Sequence, residues 1–266
     1  LEVRDAAITD DVVEFMTGRL QKLPAATQEV LKLAACIGNQ FDLETLTVIC
    51  ETPSEEVASK LWSALQEGMI LPLGETYKFF QGEIDSSSTE GITVNYRFLH
   101  DRVQQAAYSM IPEDTKQATH YQIGKQFLAR LSTTECEERI FDIVNQINIG
   151  QGLLVEDAEK KELAELNLKA GHKAKAATAY EAAKNYFKIG ISLLERNKRD
   201  SLYEIVFELH LNLAETELMT ADFDALEKSI SASFNLANSP VDQAKIYVID
   251  ILPTLRIARQ RGILQP

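Results

Sequence analysis

YRFLHDRVQQAAYSMIP, residues 96–112, is the stretch on which the fold turns. Its first three residues alternate, apolar Tyr96 and Phe98 about polar Arg97, which is the period of a half-buried strand. Its second half spaces Val103, Ala106, Ala107 and Met110 as one face of a helix. The switch from one period to the other falls on His100-Asp101. A helix start needs a single capping acceptor, so the pair admits two readings. In one, Asp101 caps the helix and His100 packs at the sheet edge. In the other, His100 hydrogen-bonds a phosphate brought by another domain, a task suited to a ring whose protonation responds to a nearby anion.

Upstream, TVNYRFL extends the alternation to Val94, and MILPLG (69–74) reads as a partner strand. Between them lies the polar tract GEIDSSSTEG, within residues 74–92, whose lack of periodicity predicts a flexible loop or hairpin tip. Three helices precede the strands. In ATQEVLKLAACIG the residues Val30, Leu31, Ala34, Ala35 and Ile37 form a stripe, with Gly38 as a stop. Asp42 is placed to cap LETLTVIC. Thr52-Pro53-Ser54-Glu55 reads as a capping box with Pro53 in the first turn, and Val57, Leu61, Ala64 and Leu65 follow on one face. Residues 24–99 thus run helix, helix, helix, strand, loop, strand, the order of a winged helix. Before them TDDVVEFMTGRLQK (9–22) is a helix broken by Pro24.

Downstream of His100 only helical patterns follow. Pro112-Glu113-Asp114 starts a helix carrying Tyr121, Ile123, Phe127, Leu128 and Leu131. RIFDIVNQINIGQGLL is the next, and further helices are expected over 157–175, 177–196, 200–220, 222–238 and 240–261. Two segments echo each other, one with Gly171, Ala183 and Phe187, the other with Phe223, Ala232 and Leu236. Small residues followed four positions later by large apolar ones suit close antiparallel helices of the tetratricopeptide type. Pairing Ala183 with Ala232 sets an offset of 49 residues.

With 45% hydrophobic residues, the 266-residue chain can bury a real core and is long enough for two domains. The chain opens on Leu1 and reads as part of a longer protein. It shows no basic-then-apolar leader and no apolar run of membrane-spanning length. Cys36, Cys50 and Cys136 are widely spaced and fit buried thiols in a reducing cytoplasm. His100, His120, His172 and His210 are too scattered for a local metal motif.

Net charge is −13, and residues 1–120 carry 19 acidic against 9 basic side chains. The helix at the DNA-recognition position, SEEVASKLWSALQE, bears Glu55, Glu56 and Glu67 against Lys60. Phosphate neutralisation dominates affinity for DNA, so this sign disfavours nucleic acid and favours the winged helix as a packing module. The phosphate-binding, nucleophile-elbow and zinc-helix motifs are missing from the sequence. Glu159-Lys160-Lys161-Glu162 and the pair Glu204 and Glu208 read as solvated faces, and Trp62 as a packing residue.

FLHDRVQQAAYSMIPEDTKQATHYQIGKQFL, residues 98–128, resembles a segment of bacterial signalling ATPases of the STAND class. There an AAA-type nucleotide-binding domain is followed by a winged helix and then by tetratricopeptide-like helices. The matching positions are Phe98, His100, Ala106-Ala107-Tyr108 and His120. IFDIVNQINIGQGLL and ELAELNLKAGHKAKAATAYEAAKNYFKIGISLL are similar to the helical region of large multi-domain Ser/Thr and histidine kinases common in cyanobacteria. Leu99-His100-Asp101 resembles the class's Met-His-Asp position. The resemblance implies that His100 senses the nucleotide's β-phosphate in a closed, ADP-bound state, with Asp101 ordering the helix behind it.

The expected fold is therefore mainly α. Residues 1–23 form a linker helix, 24–111 a winged-helix domain, 112–134 a connecting helix and 135–266 a tetratricopeptide-like array. The expected function is regulatory. The chain couples the nucleotide state of an AAA-type ATPase domain, outside these residues, to sensor and kinase domains. This part is itself expected to be neither an enzyme nor a holder of cofactor, ATP/ADP with Mg belonging to the parent protein. The expected partners are the parent's other domains and a protein on the helical repeats, with no nucleic acid and no membrane. The alternatives are the core of a STAND-type transcriptional regulator and a nucleotide-independent adaptor.

Overall fold

The computed structural model describes residues 2–74, 94–194 and 202–260. Among them are thirteen α-helices and three short strands, so the chain is mainly α. It divides into two compact units, one of Leu1–Glu137 with Ile149–Gly152, the other of Glu138–Asn148 with Leu153–Pro266.

The first unit opens with α1 (Glu2–Leu20) and α2 (Ala25–Ile37), then β1 (Gln40–Asp42), α3 (Leu43–Cys50), α4 (Ser54–Gln66), β2 (Ile70–Leu73) and β3 (Asn95–Phe98). It closes with α5 (Asp101–Ser109), α6 (Glu113–Arg130) and the short α7 (Thr133–Glu138). The anticipated stripes face inward: Val30, Leu31, Ala34 and Ala35 of α2 and Val57, Leu61 and Ala64 of α4 are buried. The strands form one antiparallel sheet in the order β1-β3-β2, with Phe41 opposite Tyr96 and Ile70 opposite Phe98. Phe41 stacks on Tyr96 at 5.8 Å and tilts against Phe98 at 5.3 Å, so the sheet's inner face is an aromatic ladder. α2 packs on α4 and α5, and α1 lies against α5.

Three details differ from the sequence reading. β1 is an added strand; three residues are too few for alternation to show. Asp42 does cap α3, with Oδ1 accepting the Thr45 amide at 2.6 Å. Thr52, however, does not cap α4. Its hydroxyl donates to the Cys50 carbonyl at 2.8 Å, and Pro53 takes the N-cap position with no side-chain cap. The third detail, the repeat period, belongs to the second unit and is given below. The polar tract expected as a loop falls, over residues 75–92, outside the described residues.

The second unit comprises α8 (Ile140–Ile149), a 3-10 turn (Gln151–Leu153), α9 (Asp157–Ala176), α10 (Tyr180–Leu194), α11 (Tyr203–Met219), α12 (Phe223–Leu236) and α13 (Pro240–Gln260). α9 packs on α10, α10 on α11, α11 on α12, and α13 on both α11 and α12. Gly171 of α9 meets Phe187 of α10, at one of the small residues expected to mark close approach. A Cβ on Gly171 would lie 2.2 Å from the Phe187 ring, so only glycine lets α9 approach α10 this closely.

The repeat period is shorter than the pairing of Ala183 with Ala232 suggested. The turns that close the two hairpins are the same structure. Thr178 and Ala221 both hold a left-handed backbone (φ 59° and 56°), 43 residues apart in sequence. In each turn the next residue's amide reaches back five residues, Ala179 to Ala174 at 2.9 Å and Asp222 to Glu217 at 3.0 Å. Gly171 therefore corresponds to Ala214 and Phe187 to Ile230, both of which are buried.

Candidate functional site

The junction at residues 98–102 is built by the sheet and finished by a histidine. The Phe98 amide donates to the Asn39 carbonyl and the Leu99 amide to that of Met69, both at 2.9 Å, which holds the exit of β3. His100 then adopts an extended backbone (φ −152°, ψ 151°) and occupies the N-cap of α5. Its Nδ1 accepts the Arg102 amide at 3.3 Å, and its carbonyl accepts the Val103 amide at 2.8 Å. The cap expected at Asp101 is thus one residue earlier. Asp101 is the first residue of the helix, where its charge suits the positive end of the helix dipole. A ring nitrogen that accepts carries no proton, so the neutral His100 ring bears its hydrogen on Nε2. Leu99, His100 and Asp101 are all exposed. Arg102 is half-buried, with Nη1 donating to Gln105 Oε1 at 2.6 Å.

Two further motif residues, Tyr108 and His120, are brought together. The Tyr108 hydroxyl lies 2.9 Å from His120 Nε2, tying α5 to α6. His120 is buried, and Lys116 Nζ sits 4.8 Å over the Tyr108 ring. Burial, with a smaller push from Cys36, raises the Tyr108 phenol above its ordinary range, against the pull of Lys116. Burial also pushes the Cys36 thiol up to about 12, so it is a packing residue and not a nucleophile. Cys50 and Cys136 are half-buried, Cys136 within the polar helix α7.

α4 presents the wrong sign for DNA. Glu55, Glu56 and Glu67 are exposed, and Lys60 pairs with Glu56 at 2.8 Å. Trp62, read as a packing residue, is 40% exposed. Beside α1 lies an open hollow of about 410 Å³ lined by Asp11, Glu14, Phe15, Gly18, Arg19 and Lys22.

In the second unit the polar groups knit helices together. Lys175 donates to Asn212 and Glu215, each at 2.6 Å. Lys184 is buried; the burial opposes its charge, but bonds to Asp222 (3.1 Å) and Glu181 (3.4 Å) outweigh this and raise its pKa. Sequence reasoning missed Glu217. It is 2% exposed and its Oε2 has no hydrogen-bond partner. Burial raises its pKa, against a hydrogen bond from Ser229. Glu204 and Glu208, read as solvated, are exposed; Glu208 lies 3.6 Å from His172.

Among the described residues no group of three or more His, Cys, Asp or Glu could hold a metal ion, and no helix is long and apolar enough to cross a membrane. The geometry defines a mainly α chain whose sequence-marked residues sit at helix junctions. No family model matches it, and no solved structure matches it. It is similar to hybrid signal transduction histidine kinase G of Dictyostelium discoideum, at 27% identity over 279 residues. The alignment covers 89% of this chain and 8% of that protein, so the chain spans under a tenth of that relative's length.

Proposed function

We propose that this chain is a regulatory and protein-interaction segment of a multi-domain signal-transduction ATPase and kinase. In this reading the first unit is a winged helix, the second a tetratricopeptide-like array, and neither turns over substrate. His100 reports the nucleotide state of an AAA-type domain of the same polypeptide to sensor and kinase domains further along it. The observation that carries the reading is the exposed histidine at the N-cap of α5. Its Nδ1 is occupied by the Arg102 amide, which leaves Nε2 as the donor of an exposed ring beside a helix N-terminus. That set of groups fits a phosphate oxygen of ADP. The similarity of most of the chain to part of a hybrid histidine kinase supports the signalling role. ATP or ADP with Mg would be held by the ATPase domain; this chain's own part is one hydrogen bond that exists in the closed state and is lost on opening.

The test is His100→Asn in the full-length protein, because Asn retains a capping acceptor. ADP retention falls and basal kinase output rises if His100 is the sensor. Unchanged ADP affinity and output would return His100 to a cap alone and leave the chain as an adaptor.

A further inference from the structure

α11 carries two apolar faces, and α13 repeats both. The first face of α11, Leu202, Ile205, Leu209 and Leu213, packs into the cluster formed with α9 and α10. The second, Tyr203, Phe207, Leu211 and Ala214, packs with α12 and α13. On α13, Ile246 and Ile249 have the spacing of Leu202 and Ile205 and are buried against the α11–α12 cluster. One residue on, Tyr247 and Ile251 have the spacing of Tyr203 and Phe207. They are 54% and 55% exposed, and Val248 between them is 70% exposed.

The outward faces of α10 and α12 are built differently. The outward face of α10 is Glu181, Asn185, Lys188 and Ser192, and that of α12 is Asp224, Glu227, Ser231 and Asn235, all exposed and polar. An apolar face of this extent belongs to an interface.

The match between Tyr203 and Tyr247 identifies the occupant. Tyr203 is a latch between successive hairpins. Its hydroxyl donates to Asp242 Oδ2 at 2.7 Å and accepts the Asn238 amide at 3.1 Å, at the start of α13. Asp242 is fixed there by Ser239, whose hydroxyl donates to the same oxygen at 2.6 Å. The helix start Ser-x-x-Asp, 39 residues after the tyrosine, is thus the receiver. Tyr247 has the phenol and the face, packed edge-on against Phe234 at 5.0 Å, with no receiver of this kind among the described residues.

We propose that the Tyr247–Ile251 face of α13 is an internal interface of a longer helical array. It is covered by a further helical hairpin that the natural polypeptide supplies beyond residue 266, and the Tyr247 hydroxyl docks on the acidic start of that hairpin's following helix. The proposal does not depend on nucleotide sensing by His100.

The experiment compares residues 1–266 with the same chain lengthened by about 45 natural residues, roughly one repeat. Ile251→Cys is introduced in both, and thiol-reagent labelling at that position is read by peptide mass spectrometry. The expected result is fast labelling in the short chain and at least ten-fold slower labelling in the long one. Tyr247→Phe should lower Tm in the long chain only. Equal labelling in both chains overturns the proposal. So does a natural sequence with no acidic helix start about 39 residues after Tyr247. A short chain that is dimeric by light scattering, and monomeric as Ile251→Asp, would assign the face to a second copy instead.

Discussion

His100 holds α5 through one ring nitrogen, so its value as a cap can be measured by itself. His100→Ala removes the side-chain acceptor that caps α5 and should cost about 1 kcal/mol, as lost caps do, while His100→Asn should recover most of it. Urea denaturation of the two variants checks this; equal losses would mean that the ring's packing, not its acceptor, matters. Glu217 makes the second prediction at this scale. Burial raises the pKa of its carboxyl above the ordinary carboxylate range, so folding favours the neutral acid. The stability this group contributes is complete below the unfolded pKa and is lost as pH rises through the raised folded value. Glu217→Gln should therefore raise Tm at pH 7 and change it little at pH 4. Asp222 acts with the opposite sign. Its bond from Lys184 lowers its pKa, so its contribution holds at neutral pH and disappears as pH falls through the folded value. A Glu217→Gln variant with wild-type Tm across the whole range would show that water reaches the carboxylate.

Close helix approach decides the next scale. Gly171→Ala puts a methyl 2.2 Å from the Phe187 ring between α9 and α10 and should cost about 1–3 kcal/mol as overpacking. Phe187→Leu in the same chain should return part of that loss, and a double-mutant cycle measures the coupling. The sequence marked small residues as the sites of close helix approach, but not the pairing of Gly171 with Phe187, which lie on different helices and meet only in the fold. The stripes of α2 and α4 and the Asp42 cap were legible, since each follows from spacing or from a residue type with one strong local use. β1 was not legible, because Gln40-Phe41-Asp42 becomes a strand only by pairing with β3, a contact more than fifty residues away. Nor was the His100 cap. Asp101 is the better capping residue by type, but the extended backbone that a cap needs is imposed by the exit from β3 at position 100. The repeat offset was misread for a related reason. Its true markers, Thr178 and Ala221, hold a conformation usually marked by glycine and carry no glycine.

As a whole, the chain has separate cores. Phe41, Tyr96 and Phe98 belong to one, and Phe187, Leu209 and Leu213 to another. Unfolding should then not be two-state. Calorimetry should resolve two transitions, with Phe98→Ala shifting one and Phe187→Ala the other; a single transition displaced by both variants would contradict this. The nucleotide reading was legible only through resemblance, because the residue types and spacing at His100-Asp101 read equally well as a helix cap. What the cores do show is how order is distributed. In the second unit the main contacts join helices no more than two elements apart in sequence. Such a stack behaves as a spring. Tension applied through its ends loads each hairpin in series, and every hairpin can yield without waiting for the others, so the unit would lengthen in small steps and recoil when released.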